Sequence, residues 1–184
     1  MSIENKRQEE KKIYEKLYNQ HGSYGGDMHS KNALDKILSM GIKSLVDVGC
    51  GRGQFPNWAK RNGIEVVHGV DFAAKFDKVE EGVELHRGYA HDLTFLGDDS
   101  VEYVTAFDVL EHLIPEDTET VLDEFNRVAT RGFIFSIAYE PSKILVEGRN
   151  LHPNVKSEEW WVDFLGKYGT VEKYKEYIFV KKGE

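Results

Sequence analysis

The sequence predicts an α/β protein: a doubly wound, mostly parallel sheet with helices on both faces and a helical segment ahead of it. Short apolar runs recur from Ser44 onward and alternate with segments of helical period, the pattern of strands joined by crossover helices. The chain has 184 residues, 40% of them hydrophobic, enough for one buried core with a short appendage. Acids and glycines gather just after the apolar runs, and in open sheets of this class ligands bind beyond the carboxyl ends of the strands.

Each element has its own warrant. Glu4 to Tyr18 reads as a charged helix, with Ile13, Tyr14, Leu17 and Tyr18 on one face. Gln20 to Asp27, QHGSYGGD, is a glycine-rich loop. Asn32 to Met40 reads as a second helix. Ser44 to Val48 is a buried strand, followed by a helix from Phe55 to Arg61 that stops at Asn62-Gly63. Glu65 to Val70 is the second strand, with a short helix expected over Ala74 to Val79. Val83 to Arg87 and Val101 to Ala106 are the third and fourth strands. Asp117 to Ala129 carries Val121, Leu122, Phe125 and Val128 on one helical stripe. Gly132 to Ala138 is the fifth strand. Ser157 to Tyr168 is a helix with Ser157 as N-cap and Gly169 beyond its end. Thr170 to Tyr174 and Tyr177 to Lys181 complete the strands.

Composition excludes several classes. The net charge of −8, from 24 Lys+Arg against 32 Asp+Glu, leaves no overall basic footprint for nucleic acid, so a nucleic-acid partner is not expected. The longest apolar run, Gly132 to Tyr139, is too short to span a bilayer. The opening MSIENKRQEEKK has no apolar signal region, and the one cysteine, Cys50, allows neither an internal disulfide nor a multi-cysteine metal site. Together these predict a cytoplasmic protein with no membrane partner. The oligomeric state is not legible.

The strand ends carry the chemistry. After the first strand stands VDVGCGRGQ, with Asp47 ahead of Gly49, Gly51 and Gly53; these glycines bare the backbone to a ligand and permit positive φ. The spacing is GxGxG, short of the GxGxxG dinucleotide fingerprint. After the second strand comes Asp71, able to accept from two ribose hydroxyls. After the third comes Asp92-Leu93, where a carboxylate and a backbone N–H suit the edge of an adenine. After the fourth come Asp108 and Val109, leading into Leu110-Glu111-His112.

These segments resemble the class I S-adenosylmethionine-dependent methyltransferases, in particular the small members with an EVLEH-type segment. VDVGCGRGQ looks like their first motif, GVDFA like the end of their second strand, and AHDLTFLGDDSVEYVTAFDVLEHL like their third and fourth strands. The resemblance covers roughly Lys43 to Ala138. It implies a Rossmann-like seven-stranded sheet with the last strand antiparallel and an N-terminal helical lid. It also implies one methyltransferase domain over 1–184, with the lid in 1–40, the cofactor-binding core in 43–138 and a substrate side in 139–184. The implied cofactor is S-adenosyl-L-methionine, with S-adenosyl-L-homocysteine as product. Asp47, Gly49, Gly51 and Gly53 would line its methionine part, Asp71 and Phe72 the ribose and one adenine face, Asp92 and Leu93 the adenine edge, and Asp108 and Val109 the floor beside the sulfonium. The family usually has a small or polar residue where Phe107 stands. Tyr14, Tyr18 and Tyr24 are lid residues that could reach the cofactor.

Methyl transfer is a direct displacement, so the protein mainly aligns the reactants; it needs a base only where the acceptor must lose a proton, and no metal is expected. His112 and His152 are the candidate catalytic residues; His29 is a weaker one. His68, His86 and His91 read as packing or exposed residues, and Trp160 and Trp161 as core and rim. Neither the amino-methylating tetrapeptide nor the Pro-Cys pair of nucleic-acid enzymes is present, which leaves a small-molecule acceptor. Lys143, Arg149, His152 and Lys156 suggest an anionic one. Two alternatives are weighed. One is a cofactor-binding or partner subunit of this fold without methyl transfer. The other is an NAD-dependent oxidoreductase through Tyr139 and Lys143, opposed by Pro141 in what should be a helix.

Overall fold

The computed structural model describes residues 1–20, 24, 33–76 and 78–183. Most of the QHGSYGGD loop, with His29, lies outside the described residues. Helix α1 spans Ile3–Gln20 and α2 Leu34–Ser39; then follow β1 (Ser44–Val48), α3 (Gln54–Arg61), β2 (Val66–Asp71), β3 (Val83–Arg87) and β4 (Val101–Phe107). Helix α4 (Thr118–Val128) leads into β5 (Ala129–Ser136). A two-stranded ribbon, β6 (Leu145–Val146) with β7 (Arg149–Asn150), precedes α5 (Glu158–Leu165), β8 (Thr170–Tyr174) and β9 (Tyr177–Lys181).

The main sheet has seven strands in the order β3-β2-β1-β4-β5-β9-β8. β1 to β5 pair in parallel, and β9 runs antiparallel to both β5 and β8. The expected Rossmann-like sheet with an antiparallel last strand is therefore present. The order reverses between β1 and β4, and that reversal opens a crevice at their carboxyl ends. One face of the sheet packs on α4 and α5 through Leu122, Phe125, Phe133 and Trp161, and the other on α2 and α3 through Ile37, Leu45, Phe55 and Ala59. A third cluster joins Tyr14, Leu17 and Tyr18 of α1 to Ala73, Ala74, Val146 and Leu151. Helix α1 thus lies across the strand ends as a lid.

Three segments depart from expectation, each for a local reason. No helix forms over Ala74 to Val79 among the described residues. The carbonyls of Ala73 and Ala74 accept from the Arg87 guanidinium at 3.1 and 2.7 Å, and Asn57 clamps the Lys78 carbonyl and the Glu80 N–H, both at 2.8 Å. Side chains from β3 and α3 have taken groups that a helix would use. Helix α4 ends at Val128 and Ala129 turns extended at once (φ −92°, ψ 134°), so β5 begins earlier than expected. The β4–β5 register shifts between Val101 and Tyr103, and Gly132 absorbs it at φ +144°, where a Cβ would sit 1.9 Å from the Val180 carbonyl oxygen. Finally, the segment after β5 is not wholly irregular. Glu147 and Gly148 adopt φ +53° and +80°, the conformation of a tight hairpin turn, and join β6 to β7.

Other expectations hold. Ser157 caps α5 by accepting the Trp160 N–H. Trp161 is fully buried, while Trp160 lies at the rim, stacked on Phe164 at 4.8 Å. Tyr139 to Lys143 is not helical, so the dehydrogenase spacing has no helix face to stand on. Among the described residues, no helix is long and apolar enough to cross a membrane.

Candidate active site

A cavity of about 620 Å³ opens between α1 and the carboxyl ends of β1, β2 and β4. The chain enters it from β1. Asp47 is buried and accepts a hydrogen bond from Thr105 Oγ1 at 2.7 Å. Burial pushes its carboxyl up to about 8, with the nearby Asp71 adding to the push. The turn that follows places Gly49 at φ +69°, and a Cβ there would lie 2.4 Å from Val109 Cγ2. A ligand can therefore meet bare backbone at Gly49 and Gly51, which both line the cavity.

Gly53 does not line it. It begins α3 at φ +93°, and a Cβ there would press on Leu85 at 2.9 Å, so its smallness serves helix-to-strand packing. Cys50 is buried beside the turn.

Asp71 closes β2 on the cavity wall. Its Oδ1 accepts the N–H groups of Ala73 and Ala74 at 2.8 and 2.7 Å; its Oδ2 accepts the Gly51 N–H at 3.1 Å and the Tyr18 hydroxyl at 3.3 Å. Burial raises its pKa against those four lowering bonds. One carboxylate thus ties the glycine turn, the chain after β2 and the lid together. Phe72 follows, its ring 5.4 Å from Tyr14 and 5.7 Å from Tyr89.

The structure does not bring Asp92 and Leu93 to the cavity. Asp92 is exposed and accepts the Thr94 hydroxyl at 2.7 Å, and the Leu93 N–H donates to Glu124 at 2.8 Å while its side chain is buried in the core. The wall at that height is Gly88, Tyr89, Ala90 and His91. The strand-end rule placed the contact a few residues too far along the chain.

Beyond β4 the backbone turns back. Asp108 takes φ +53°, held by N–H bonds to the Ser136 carbonyl and hydroxyl, both at 3.0 Å, and by the Ser136 hydroxyl donating to its carboxylate at 2.7 Å. Phe107, Asp108 and Val109 all face the cavity; Phe107 stacks edge-on against Phe55 at 5.0 Å. A 3₁₀ turn, Leu110–His112, then aims two polar side chains inward. Glu111 is fully buried; its Oε1 accepts the Ala138 N–H at 2.9 Å and its Oε2 has no hydrogen-bond partner among the described residues. Burial lifts its carboxyl to about 8. His112 is driven down to about 4 by burial and by the neighbouring His152. The Nδ1 atoms of His112 and His152 lie 2.7 Å from the carbonyls of Leu151 and Glu140, so each Nδ1 carries its proton and each Nε2 keeps its lone pair. The rings meet edge to face at 4.6 Å. Both candidate catalytic histidines therefore reach the cavity, side by side.

The lid completes the enclosure. Tyr14, Tyr18 and Tyr24 all line the cavity. The Tyr14 hydroxyl touches His112 Nδ1 at 2.5 Å, and the Tyr18 and Tyr24 rings meet at 5.2 Å. Arg7 and Glu10 line it too, and the sequence reading missed them. The signal was present, since residues 7, 10, 14 and 18 share one face of a 3.6-residue helix. Polar ties run along α1: Arg7 grips Asp117 through two bonds at 2.6 and 2.9 Å, Arg149 pairs with Glu10, and Lys16 pairs with Glu147.

Those ties correct the anionic-acceptor expectation. Of Lys143, Arg149, His152 and Lys156, only His152 lines the cavity. Arg149 holds the lid, and Lys156 sits 5.5 Å over the Trp160 ring. Acids line the cavity instead, Glu10, Asp47, Asp71, Asp108, Glu111 and Asp117, against Arg7, which is itself paired.

Comparison with known proteins agrees with this geometry. A family model described as a methyltransferase domain matches residues 46–137, half of the chain. No curated protein sequence matches. Solved structures do. Magnesium protoporphyrin IX methyltransferase from Synechocystis PCC 6803, with bound S-adenosylhomocysteine, superposes with a TM-score of 0.70 at 15% identity, over 95% of this chain and 100% of that one. The PH0226 protein from Pyrococcus horikoshii OT3 gives 0.69 at 20% identity, over 92% and 99%. The 1,6-didemethyltoxoflavin-N1-methyltransferase from Burkholderia thailandensis gives 0.68 at 16% identity, over 94% and 88%. With the matched segment, the sheet order and the glycine turn all in agreement, the chain belongs to the class I S-adenosylmethionine-dependent methyltransferases.

Proposed function

We propose that this protein transfers the methyl group of S-adenosylmethionine to a small-molecule acceptor that is neutral or amine-bearing. The observation that carries the reading is the cavity at the β1–β4 reversal, with a glycine turn on one side and an aromatic lid on the other. S-adenosylmethionine fits the residues present: Gly49 and Gly51 present backbone without side chains to the cavity, and Asp47 and Asp71 supply buried carboxyl groups for groups bearing N–H or O–H. Bound there, it supplies a methyl carbon already activated by a sulfonium.

The chain's own residues do the remaining work. Asp108 and Val109 form the floor at Gly49 and fix the height of whatever lies on it. Phe72, Tyr14 and Tyr89 offer aromatic faces to a flat ring. Helix α1 covers part of the cavity and narrows the access of water, which favours transfer between two organic groups. The acceptor side is the end lined by Glu111, His112 and His152. The two Nε2 lone pairs there are placed to take an acceptor's proton as the new bond to carbon forms and the sulfur keeps the departing pair. Among the described residues Arg7 is the one Lys or Arg on the cavity wall, and it is already paired with Asp117, which favours an amine or a neutral hydroxyl over a phosphate or carboxylate.

The test is a screen of small amines, phenols and carboxylates with S-adenosylmethionine labelled in its methyl group, with product masses read by chromatography. Label in neutral or amine acceptors supports the reading. Label in carboxylates and phosphates alone, or in none of these acceptors despite cofactor binding, overturns it.

A further inference from the structure

We propose that Glu111, His112 and His152 form a binding site for one divalent transition-metal ion of the zinc or ferrous type, on the acceptor side of the cavity. The sequence led us to expect no metal, because its one cysteine and scattered acids show no ligand spacing. The fold supplies what spacing could not. Glu111 and His112 are neighbours on a 3₁₀ turn, and the loop after β7 folds back to place His152 beside them.

Three independent features converge. One donor atom from each of the three residues lies within 4.8 Å of the others. Metal–ligand bonds of about 2.0–2.2 Å at tetrahedral angles set donors about 3.3–3.6 Å apart, so side-chain rotations that shift the donors by about an ångström close the set. Second, Glu111 Oε2 is a buried carboxylate oxygen without a hydrogen-bond partner among the described residues, on a side chain that lines the cavity. An orphaned oxygen in so buried a place calls for a ligand. Third, each imidazole is oriented through Nδ1 by a backbone carbonyl at 2.7 Å, which turns Nε2 into the available donor. That carbonyl brace is the usual support of a metal-bound histidine. Two imidazoles and one carboxylate suit zinc or ferrous iron better than magnesium or calcium, which take oxygen ligands.

Its use in catalysis rests on the methyl-transfer reading above; the binding itself does not. With the ion present, the imidazoles would act as its ligands, and their Nε2 atoms would no longer take the acceptor's proton.

A second cluster, His68, Glu84 and His86, provides the control. It lies on β2 and β3, away from the cavity, with Glu84 largely exposed and the His86 ring stacked on Phe95 at 3.8 Å. The experiment titrates metal-stripped protein with Zn²⁺ by calorimetry and with Co²⁺ by visible absorption. It compares wild type, His152→Ala, Glu111→Gln and His86→Ala, with S-adenosylhomocysteine binding measured in parallel. His152 is only half buried, so its variant keeps a folded readout if Glu111→Gln does not. The expected result is one ion per chain at micromolar or tighter affinity, weakened at least a hundredfold by His152→Ala and unchanged by His86→Ala. No stoichiometric binding, or binding lost in His86→Ala and kept in His152→Ala, overturns the proposal. S-adenosylhomocysteine binding is read separately, so a failure of the cofactor reading cannot be mistaken for a failure of the metal site.

Discussion

Asp71 is the point where the glycine turn, the end of β2 and the lid meet, and its removal should show in folding before it shows in activity. Its carboxylate accepts three backbone N–H groups and the Tyr18 hydroxyl. Asp71→Ala leaves those backbone donors buried and unpaired. At about 1–3 kcal/mol for each unpaired buried group, the loss is roughly 3–9 kcal/mol, comparable to the whole stability of a typical domain. Asp71→Asn is the sharper probe. It keeps Oδ1 for Ala73 and Ala74, but presents an NH₂ group to the Gly51 N–H, while Tyr18 can rotate its hydroxyl to accept. One donor is orphaned, so the cost is about 1–3 kcal/mol, or roughly 2–12 °C in melting temperature for a chain of this size. Urea denaturation followed by circular dichroism measures both variants. If Asp71→Asn and Asp71→Ala both unfold within about 0.5 kcal/mol of wild type, within the range of ordinary surface substitutions, this account of the strand end is wrong.

Three further outcomes follow from the same geometry. Asp47 is held at about 8 by burial, above the roughly 3.9 of an unfolded carboxylate, so the folded chain binds the extra proton between those values and its stability falls as pH rises through that window. Asp47→Asn keeps the bond from Thr105 and removes the titration; its stability against pH should be flatter than wild type between pH 5.5 and 8, and parallel curves would refute the buried-proton assignment. Gly49→Ala places a methyl against Val109 Cγ2 in a left-handed backbone, a conformation that costs about 1–2 kcal/mol on its own; Gly49→Ala with Val109→Ala should recover part of the lost stability, and no recovery would contradict the contact. Arg149→Ala releases Glu10 from its partner and loosens the lid at a cost of about 1 kcal/mol, so trypsin should cut α1 roughly five times faster with little change in global melting; an unchanged cleavage rate would remove Arg149 as a latch.

Much of the fold was legible because its signals are local. The apolar runs, the Ser157 cap and the stripe on α4 each act within a few residues, and each gave its element to within a few positions. The missing helix after Ala74 could not be read, because what prevents it comes from Asn57 and Arg87, distant in the chain. The same division holds at the site. Asp47, Gly49 and Asp71 stand where strand-end logic puts them, since the strand itself delivers them. Asp92 and Leu93 do not, because Thr94 and Glu124 capture the polar groups that were to read an adenine. Arg149 and Lys156 looked like parts of an anion receptor only while their partners, Glu10 on α1 and the Trp160 ring, were unknown. That one Glu111 oxygen is left buried without a partner among the described residues is a property of packing alone.

The central claim is that the cavity under α1 holds S-adenosylmethionine over the Gly49 turn. Calorimetric titration of S-adenosylhomocysteine into wild type and Gly49→Ala tests it most directly, with circular dichroism to confirm that both are folded. The account predicts saturable one-to-one binding by the wild type and affinity at least a hundredfold weaker in the variant. No heat of binding in folded wild type, or equal affinity in the two proteins, would contradict it.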